Sequence, residues 1–276
     1  MAQRLVERGH KVTGLRTDPG RAEALRSLGV HPLALDLADP AVVSRIPGDL
    51  DCIIAMQSSR DEGEIAYRRA YLDANRTLLE VARRQPLQAF VYTGSTGVFG
   101  QRDGSEVDEG TPPAPATLSG SVLLEAEQLL LGAVGEGIPA RVVRLSGLYG
   151  PGRTWVIDRV RRGLMALGPG DGVWMNSCHQ EDAVQAVIAA LDRGRDGAVY
   201  HATDALPMRR RDVITFVSER LGITPSKLAS GLDPSGPNRR IRGERTCMEL
   251  GIQPRWPSLR EGLAPFVESL RDEVTS

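Results

Sequence analysis

The sequence predicts an α/β fold in which helices cover both faces of a mostly parallel sheet, a doubly wound arrangement. Short β-branched segments alternate with amphipathic helical segments as far as about Thr203, a pattern that indicates βαβ crossovers. The chain has 276 residues, of which 41% are hydrophobic and 25% charged, as in an ordinary globular protein. One large domain with an appendage therefore fits both the pattern and the length.

The elements follow from the periodicity in chain order. After a short helical segment at 2–8, strands are predicted at 11–16, 31–35, 51–56, 89–93, 140–145 and 198–203. Helices are predicted at 21–28, 62–84, 118–134 and 181–192, where apolar residues recur at steps of three and four. Six strands with interleaved helices make up the predicted sheet domain, residues 1–207.

A small, mostly helical C-terminal lobe is predicted for residues 208–276. The strand signal fades after about Met208, and helical runs at 210–221 and 259–270 flank a Pro/Gly-rich stretch at 224–238. That stretch is interpreted as a loop, so the lobe packs beside the sheet.

Charge and cysteine content exclude several classes of protein. The 34 basic and 35 acidic residues leave a net charge of −1, which does not favour binding to nucleic acid or an anionic membrane. Three widely spaced cysteines suggest neither a disulfide framework nor a zinc site, and no metal is expected. With no long apolar stretch or signal-like N-terminus, a cytoplasmic location is expected.

Five segments, in order along the chain, resemble those of one family. They are residues 8–16 (RGHKVTGLR), 92–100 (YTGSTGVFG), 108–113 (DEGTPP), 144–153 (RLSGLYGPGR) and 176–182 (NSCHQED). Together they resemble the extended and atypical short-chain dehydrogenases/reductases of the NAD-dependent epimerase/dehydratase family. The resemblance covers nearly the whole chain and implies a Rossmann-type fold that binds NAD or NADP.

The same resemblance implies that the family's first strand and glycine-rich turn are missing here, since 12–16 matches the second strand. That first strand is central, so its absence would leave a slot roughly 10 Å wide between strands spaced about 4.8 Å apart. We expect the true start to lie upstream; an in-frame strand and GxxGxxG-like turn before Met1 would support this. The alternative is a rearranged protein in which nucleotide binding is impaired.

Cofactor contacts are expected at Arg16, Asp36, Thr93 and Tyr149. Arg16 ends the second family strand, where a guanidinium pairs with the 2′-phosphate of NADP, so NADP is expected. NAD remains the alternative if Arg16 is only a solvent-exposed arginine. Asp36 matches the family's adenine-contacting acid, and a turn-initiating aspartate is the alternative.

Ser95 is the residue that the resemblance places as the catalytic serine, hydrogen-bonded to the reacting carbonyl or hydroxyl. A Gly/Ser/Thr turn without chemistry is the alternative. The family's Tyr and Lys, four residues apart, are absent: Ser119 and Leu123 stand in their places, and the chain's only lysines are Lys11 and Lys227. The usual proton relay therefore does not carry over, and the acid/base is unidentified.

Ser119, Arg153 and His179 are expected to line the substrate pocket. Arg153 either binds an anionic substrate or is a solvent-exposed residue at a helix start. Tyr149 either lines the cofactor pocket or packs over the sheet edge. His179 and Asp182 precede a helix, so capping and loop ordering also explain them.

An NAD(P)-dependent oxidoreductase or epimerase acting on an unknown small molecule is the predicted function. The alternative is a non-catalytic NAD(P)-binding regulatory protein, favoured by the replaced Tyr/Lys pair, and a third hypothesis is that the chain binds no nucleotide. The resemblance also implies a homodimer, in which the helices at 62–84 and 118–134 pair across the interface.

Overall fold

A computed structural model describes residues 1–59, 61, 63–227 and 236–275, with side chains to residue 269. Its strands are β1 (Thr13–Arg16), β2 (His31–Ala34), β3 (Cys52–Ala55), β4 (Ala89–Ser95), β5 (Glu106–Val107), β6 (Ala140–Leu145), β7 (Gly147–Tyr149), β8 (Trp174–Met175), β9 (Ser177–His179), β10 (Val199–Ala202), β11 (Met208–Arg209) and β12 (Arg240–Ile241). Its α-helices are α1 (Ala2–Glu7), α2 (Pro19–Glu23), α3 (Glu64–Tyr67), α4 (Ala74–Ala82), α5 (Leu118–Gly132), α6 (Trp155–Arg161), α7 (Gln180–Arg193), α8 (Arg210–Leu221), α9 (Glu244–Leu250) and α10 (Leu259–Thr275).

The central sheet has four parallel strands in the order β10-β6-β4-β3. The β4 and β6 ladder runs from Phe90 opposite Ala140 to Ser95 opposite Leu145, so these two strands end together. Because all four strands run the same way, their carboxyl ends lie at one edge of the sheet, where open α/β proteins bind ligands.

Helices cover both faces of this sheet, which confirms the predicted fold class. On one face α4 and α5 pack on β3, β4 and β6 through buried residues such as Leu79, Phe90 and Leu130. On the other face α7 packs on β4, β6 and β10 through Val91, Val143 and other apolar side chains. Thr117 begins α5 by accepting a bond from Gly120 N at 3.1 Å, which satisfies a free helix-start amide.

The predicted first two strands form a separate ladder. β1 and β2 pair in parallel, Thr13 opposite His31 through Arg16 opposite Ala34, and in the described part of the chain they share no ladder with the four-stranded sheet. The six predicted strands thus form two sheets, and the proposed slot between them remains a prediction.

The C-terminal lobe is more complex than the two predicted helices. The structure has a third helix here, α9, which the sequence did not predict. Strand β11, just after the predicted boundary at 207, pairs with β8, which lies before that boundary. Its apolar cluster likewise combines Val156, Ile157 and Val160 of α6 with α8 and α10. Most of the predicted 224–238 loop, residues 228–235, lies outside the described residues.

The long predicted helix at 62–84 is interrupted. It consists of α3, a π-helical turn at Arg68–Asp73 and α4, while Glu62 itself lies outside the described residues. No helix in the described ranges is long and apolar enough to cross a membrane.

A buried ion pair fixes α5 on the sheet beneath the carboxyl edge. The Arg144 Nε of β6 lies 2.7 and 3.0 Å from the two Glu127 carboxylate oxygens, and the two side chains are only 5% and 1% exposed. Gly94 leaves room for this pair, since a Cβ there would lie 3.3 Å from Glu127 Oε1. Burial raises the pKa of Glu127, and Arg144 opposes that shift.

We predict that Arg144→Met destabilises the protein by about 3–5 kcal/mol, because it leaves the Glu127 carboxylate buried without a cation. Arg144→Met combined with Glu127→Leu recovers most of that loss. Denaturation in urea measures both, with Arg76→Met, which removes an exposed pair with Asp73, as a control that costs less than about 1 kcal/mol. A double variant no more stable than the single one would contradict this explanation.

Candidate functional site

Ser95 lies where β4 ends and a short 3-10 turn at Thr96–Val98 begins. Its Oγ accepts a hydrogen bond from Gly97 N at 3.0 Å, which ends the strand at this residue. The hydroxyl keeps its own proton for donation to a bound group. Thr96 is buried beside it, and its Oγ1 lies 3.4 Å from Ser146 Oγ after β6, so the turn is held against the neighbouring strand end.

The first turn of α5 packs directly on the Ser95 turn. A Cβ at Gly120 would lie 2.7 Å from the Gly97 carbonyl oxygen, so only glycine permits this approach. Ser119 precedes Gly120, and its Oγ lies 3.2 Å from Thr117 Oγ1. The contact between Gly97 and Gly120 therefore places Ser95 and Ser119 at the same sheet edge.

Leu123, which stands where the family has lysine, serves packing. Its half-buried side chain contacts a small cluster that includes Val98 and Phe99, both fully buried. A hydrocarbon at this position neither lowers a neighbouring pKa nor donates a proton, so the family's ammonium has no equivalent on this helix.

Three of the predicted cofactor contacts lie at or near the ends of β1, β2 and β4. Arg16 is exposed at the end of β1, and Thr93 near the end of β4 donates from Oγ1 to the Ala55 carbonyl at 3.2 Å. The Asp36 carboxylate accepts a bond from Ala38 N at 3.0 Å, which is the main reason its pKa is lowered, and it pairs with Arg69. Asp36 thus forms the turn that was the alternative to an adenine contact.

Tyr149 is fully buried between the sheet and the C-terminal lobe. Its hydroxyl donates to the Ser258 carbonyl at 3.1 Å, and its ring meets the His179 ring edge-on at 5.3 Å. Burial raises the pKa of Tyr149 far above its usual value, so the phenol holds its proton. This geometry favours the packing alternative and gives no substitute for the missing tyrosine and lysine.

His179 and Asp182 act at the start of α7. His179 Nδ1 accepts a bond from Glu181 N at 3.3 Å and caps the helix, whereas the Asp182 carboxylate accepts from Arg255 N at 2.8 Å and Trp256 N at 3.0 Å. Asp182 therefore orders the loop before α10. Arg153 is exposed in the turn before α6.

Asp204, which the sequence analysis did not single out, lies 3.5 Å from the Tyr149 hydroxyl and is 3% exposed. Burial, followed by the nearby Asp182 charge, raises the pKa of Asp204 to about 8, so the carboxyl is largely protonated at neutral pH. It follows a strand with no distinctive motif, and only its tertiary surroundings identify it.

Arg239 and the amide pair of Gln57 and Asn75 also lie near this sheet edge, and the sequence did not predict either contact. The Arg239 Nη2 donates to the Thr96 carbonyl at 2.8 Å across a separation of 143 residues. After β3, Gln57 Nε2 donates to Asn75 Oδ1 at 2.8 Å, while Gln57 Oε1 and Asn75 Nδ2 are buried without partners among the described residues. Neither contact has a local sequence signal.

Comparison with known proteins identifies the chain's relatives. The model of the NAD dependent epimerase/dehydratase family matches residues 1–203. Protein YeeZ of Escherichia coli K12 is 31% identical over 262 residues, covering 93% of this chain and 92% of that protein.

Two other matches are a reductase and a solved structure. A ketoreductase of Stigmatella aurantiaca that acts on a farnesyl dihydroquinoline oxide is 28% identical, covering 93% of this chain and 79% of that protein. The dTDP-glucose 4,6-dehydratase of Streptomyces venezuelae, solved with NAD bound, superposes with a TM-score of 0.82 at 18% identity, covering 99% of this chain and 94% of that one. At that identity the structural match supports the shared fold alone.

Gly120→Ala is predicted to destabilise the protein by about 1–3 kcal/mol, because the new methyl collides with the Gly97 carbonyl and overpacks the contact. Gly132→Ala in the same helix has open space around it and is the matched control, stabilising slightly through helix propensity. Thermal unfolding compares the two. An equally harmless Gly120→Ala would show that α5 does not press on the Ser95 turn.

Asp204→Asn is predicted to gain stability relative to the parent protein as pH rises from about 4 to 8. The pKa of Asp204 is higher in the native state than in the unfolded state, so between about pH 4 and 8 the native protein stays protonated where the unfolded chain is ionised. The free energy of unfolding of the parent protein therefore falls by up to about 1.4 kcal/mol per pH unit in that window. Asparagine does not titrate and escapes this loss.

Urea denaturation at several pH values measures the Asp204 effect, with Asp49→Asn, the same substitution at an exposed position, measured alongside as a control. A stability difference between Asp204→Asn and the parent protein that does not change with pH would mean that Asp204 is ionised in the native protein.

Proposed function

The chain belongs to the NAD-dependent epimerase/dehydratase family, and we propose that it is an NADP-linked oxidoreductase whose Ser95 binds the reacting oxygen of a small carbonyl or alcohol substrate. The observation that carries the proposal is the placement of the Ser95 hydroxyl at the carboxyl edge of the sheet, next to the start of α5. The ketoreductase relative supports carbonyl reduction as the direction of the reaction.

Residues after β1 and after β3 suit parts of a nicotinamide dinucleotide. Arg16, at the end of β1, offers an exposed guanidinium for a 2′-phosphate. The Gln57 Oε1 and Asn75 Nδ2 are an unpartnered acceptor and donor, which a sugar hydroxyl would reach only by opening the buried contact between these two amides. These polar atoms are costly to bury without partners, which favours a ligand that completes them. When bound, the nicotinamide supplies or accepts the hydride.

Ser95 holds and polarises the substrate oxygen in this proposal. Its proton donates to the carbonyl oxygen while Gly97 N fixes the Oγ, so the hydroxyl is oriented before substrate binds. Hydride addition to the carbonyl carbon requires a proton at the oxygen, and we assign its relay from solvent to Ser119, whose Oγ lies 3.2 Å from Thr117 Oγ1 at the start of α5. Tyr149 is excluded as its source by burial beneath the lobe.

A non-catalytic NADP-binding regulator is the second candidate. The packing of Leu123 into the apolar cluster of Val98 and Phe99 favours it, because an enzyme of this family without a cation on α5 lacks the usual means of moving the proton. Turnover separates the two: the regulator binds NADPH but reduces no carbonyl.

We predict that Ser95→Ala lowers kcat/KM for carbonyl reduction by about 100- to 1,000-fold, because a preorganised donor to the developing oxyanion is lost. The dissociation constant for NADPH is expected to stay the same. Steady-state NADPH oxidation over a panel of aldehydes and ketones measures the first, and fluorescence titration the second. The remote, exposed Ser27→Ala serves as control, and unchanged turnover by Ser95→Ala would refute the assigned role.

Arg16→Gln is predicted to weaken NADPH binding by about 10- to 100-fold while leaving NADH binding unchanged, because a charge-assisted bond to the 2′-phosphate is lost. Arg84→Gln, at an exposed position just after α4, is the control. If Arg16→Gln weakened the binding of NADPH and NADH by the same factor, Arg16 would not be the residue that selects NADPH.

A further inference from the structure

Arg239 places a positive charge against the residue that follows Ser95. Its Nη2 donates to the Thr96 carbonyl at 2.8 Å, and its Nε is buried with no partner among the described residues. The Thr96 carbonyl follows Ser95 directly in the chain, and consecutive Cα atoms are about 3.8 Å apart, so the guanidinium lies against the Ser95 turn.

The backbone around Arg239 is held rigidly. Asn176 donates from Nδ2 to the Arg239 carbonyl at 2.9 Å and accepts from Ile241 N at 2.8 Å. On the other side Arg240 N donates to the Ser105 carbonyl at 2.8 Å, continuing the ladder between β12 and β5. The backbone that carries the Arg239 side chain is thus held by hydrogen bonds on both sides.

The charge of Arg239 is not balanced by a carboxylate in the described part of the chain. The nearest ion pairs in sequence belong to Arg240 and Arg242, both of which pair with Glu106. Burial lowers the pKa of the Arg239 guanidinium, which is the direction expected for a desolvated cation without a counter-charge. A half-buried cation of this kind is costly for stability, and such groups are concentrated at functional sites.

We propose that Arg239 is the anchor of a carboxylate subsite, so that the substrate is an oxo acid or hydroxy acid whose carboxylate binds Arg239 while its reacting oxygen binds Ser95. A planar carboxylate matches the remaining N–H groups of the guanidinium, and its single charge balances a single cation. A phosphate dianion would leave one negative charge without a partner. This substrate class rests on the proposed function, whereas the anion subsite itself does not.

Calorimetric binding of pyruvate and 4-oxopentanoate, each against its methyl ester, tests the subsite with and without NADPH. The protein is expected to bind the acids about 10- to 100-fold more tightly than the esters. Arg239→Gln keeps a donor for the Thr96 carbonyl but removes the charge, and abolishes this preference. Arg239→Lys retains part of it, and Arg240→Gln, one residue along the strand, leaves it intact.

An acid preference that survives in Arg239→Gln, or that is absent from the parent protein, would overturn the proposal, as would tighter Arg239-dependent binding of inorganic phosphate than of either acid. Measuring NADPH-dependent carbonyl reduction separates failure of the carboxylate subsite from failure of the proposed oxidoreductase function. An Arg239-dependent acid preference without reduction of any carbonyl by NADPH would uphold the subsite and refute the oxidoreductase activity. Carbonyl reduction by NADPH without a preference for acids over esters would uphold the oxidoreductase activity and refute the subsite.

Discussion

The common direction of β3, β4, β6 and β10 is the constraint on which the rest of the structure depends. Because these strands are parallel and β4 ends level with β6, the Ser95 turn, the Ser146 hydroxyl and the segment after β3 all emerge at one edge. The Arg144 to Glu127 ion pair and the Gly120 contact then press α5 against that edge. A charged pair beneath and a glycine contact above thus fix the position of Ser95 more firmly than a turn would alone.

The C-terminal lobe is tied to the same framework through buried polar groups. Asp182 at the start of α7 binds the backbone at Arg255 and Trp256, and Tyr149 binds the Ser258 carbonyl just before α10. Tyr149, which the resemblance places in the cofactor pocket, and Asp182 therefore hold the lobe in place. Arg239 reaches the Ser95 turn from the strand β12 that this lobe contributes, which makes the relation between lobe and sheet important for any substrate.

The sequence alone predicts the elements that have strong local signals. Strand β6 was predicted with its observed bounds, and so was α8, because continuous apolar runs and three- and four-residue spacing are properties of the local chain. The two-residue strands β5, β8, β11 and β12 pair with partners distant in sequence and have no pattern of their own. The positions of Ser95 and Ser119 follow from motif order, whereas the Arg239 contact spans 143 residues and the buried Asp204 is recognisable only by its surroundings.

A nicotinamide and a carbonyl substrate are proposed to meet at the carboxyl edge beside Ser95. Transfer of deuterium from NADPH labelled at C4 of the nicotinamide, followed by mass spectrometry of the product, tests whether they do. One deuterium is expected on the former carbonyl carbon, from only one of the two C4 positions, and Ser95→Ala is expected to slow its appearance. NADPH that binds with full affinity and passes no deuterium to any oxo acid, aldehyde or ketone would contradict this proposal.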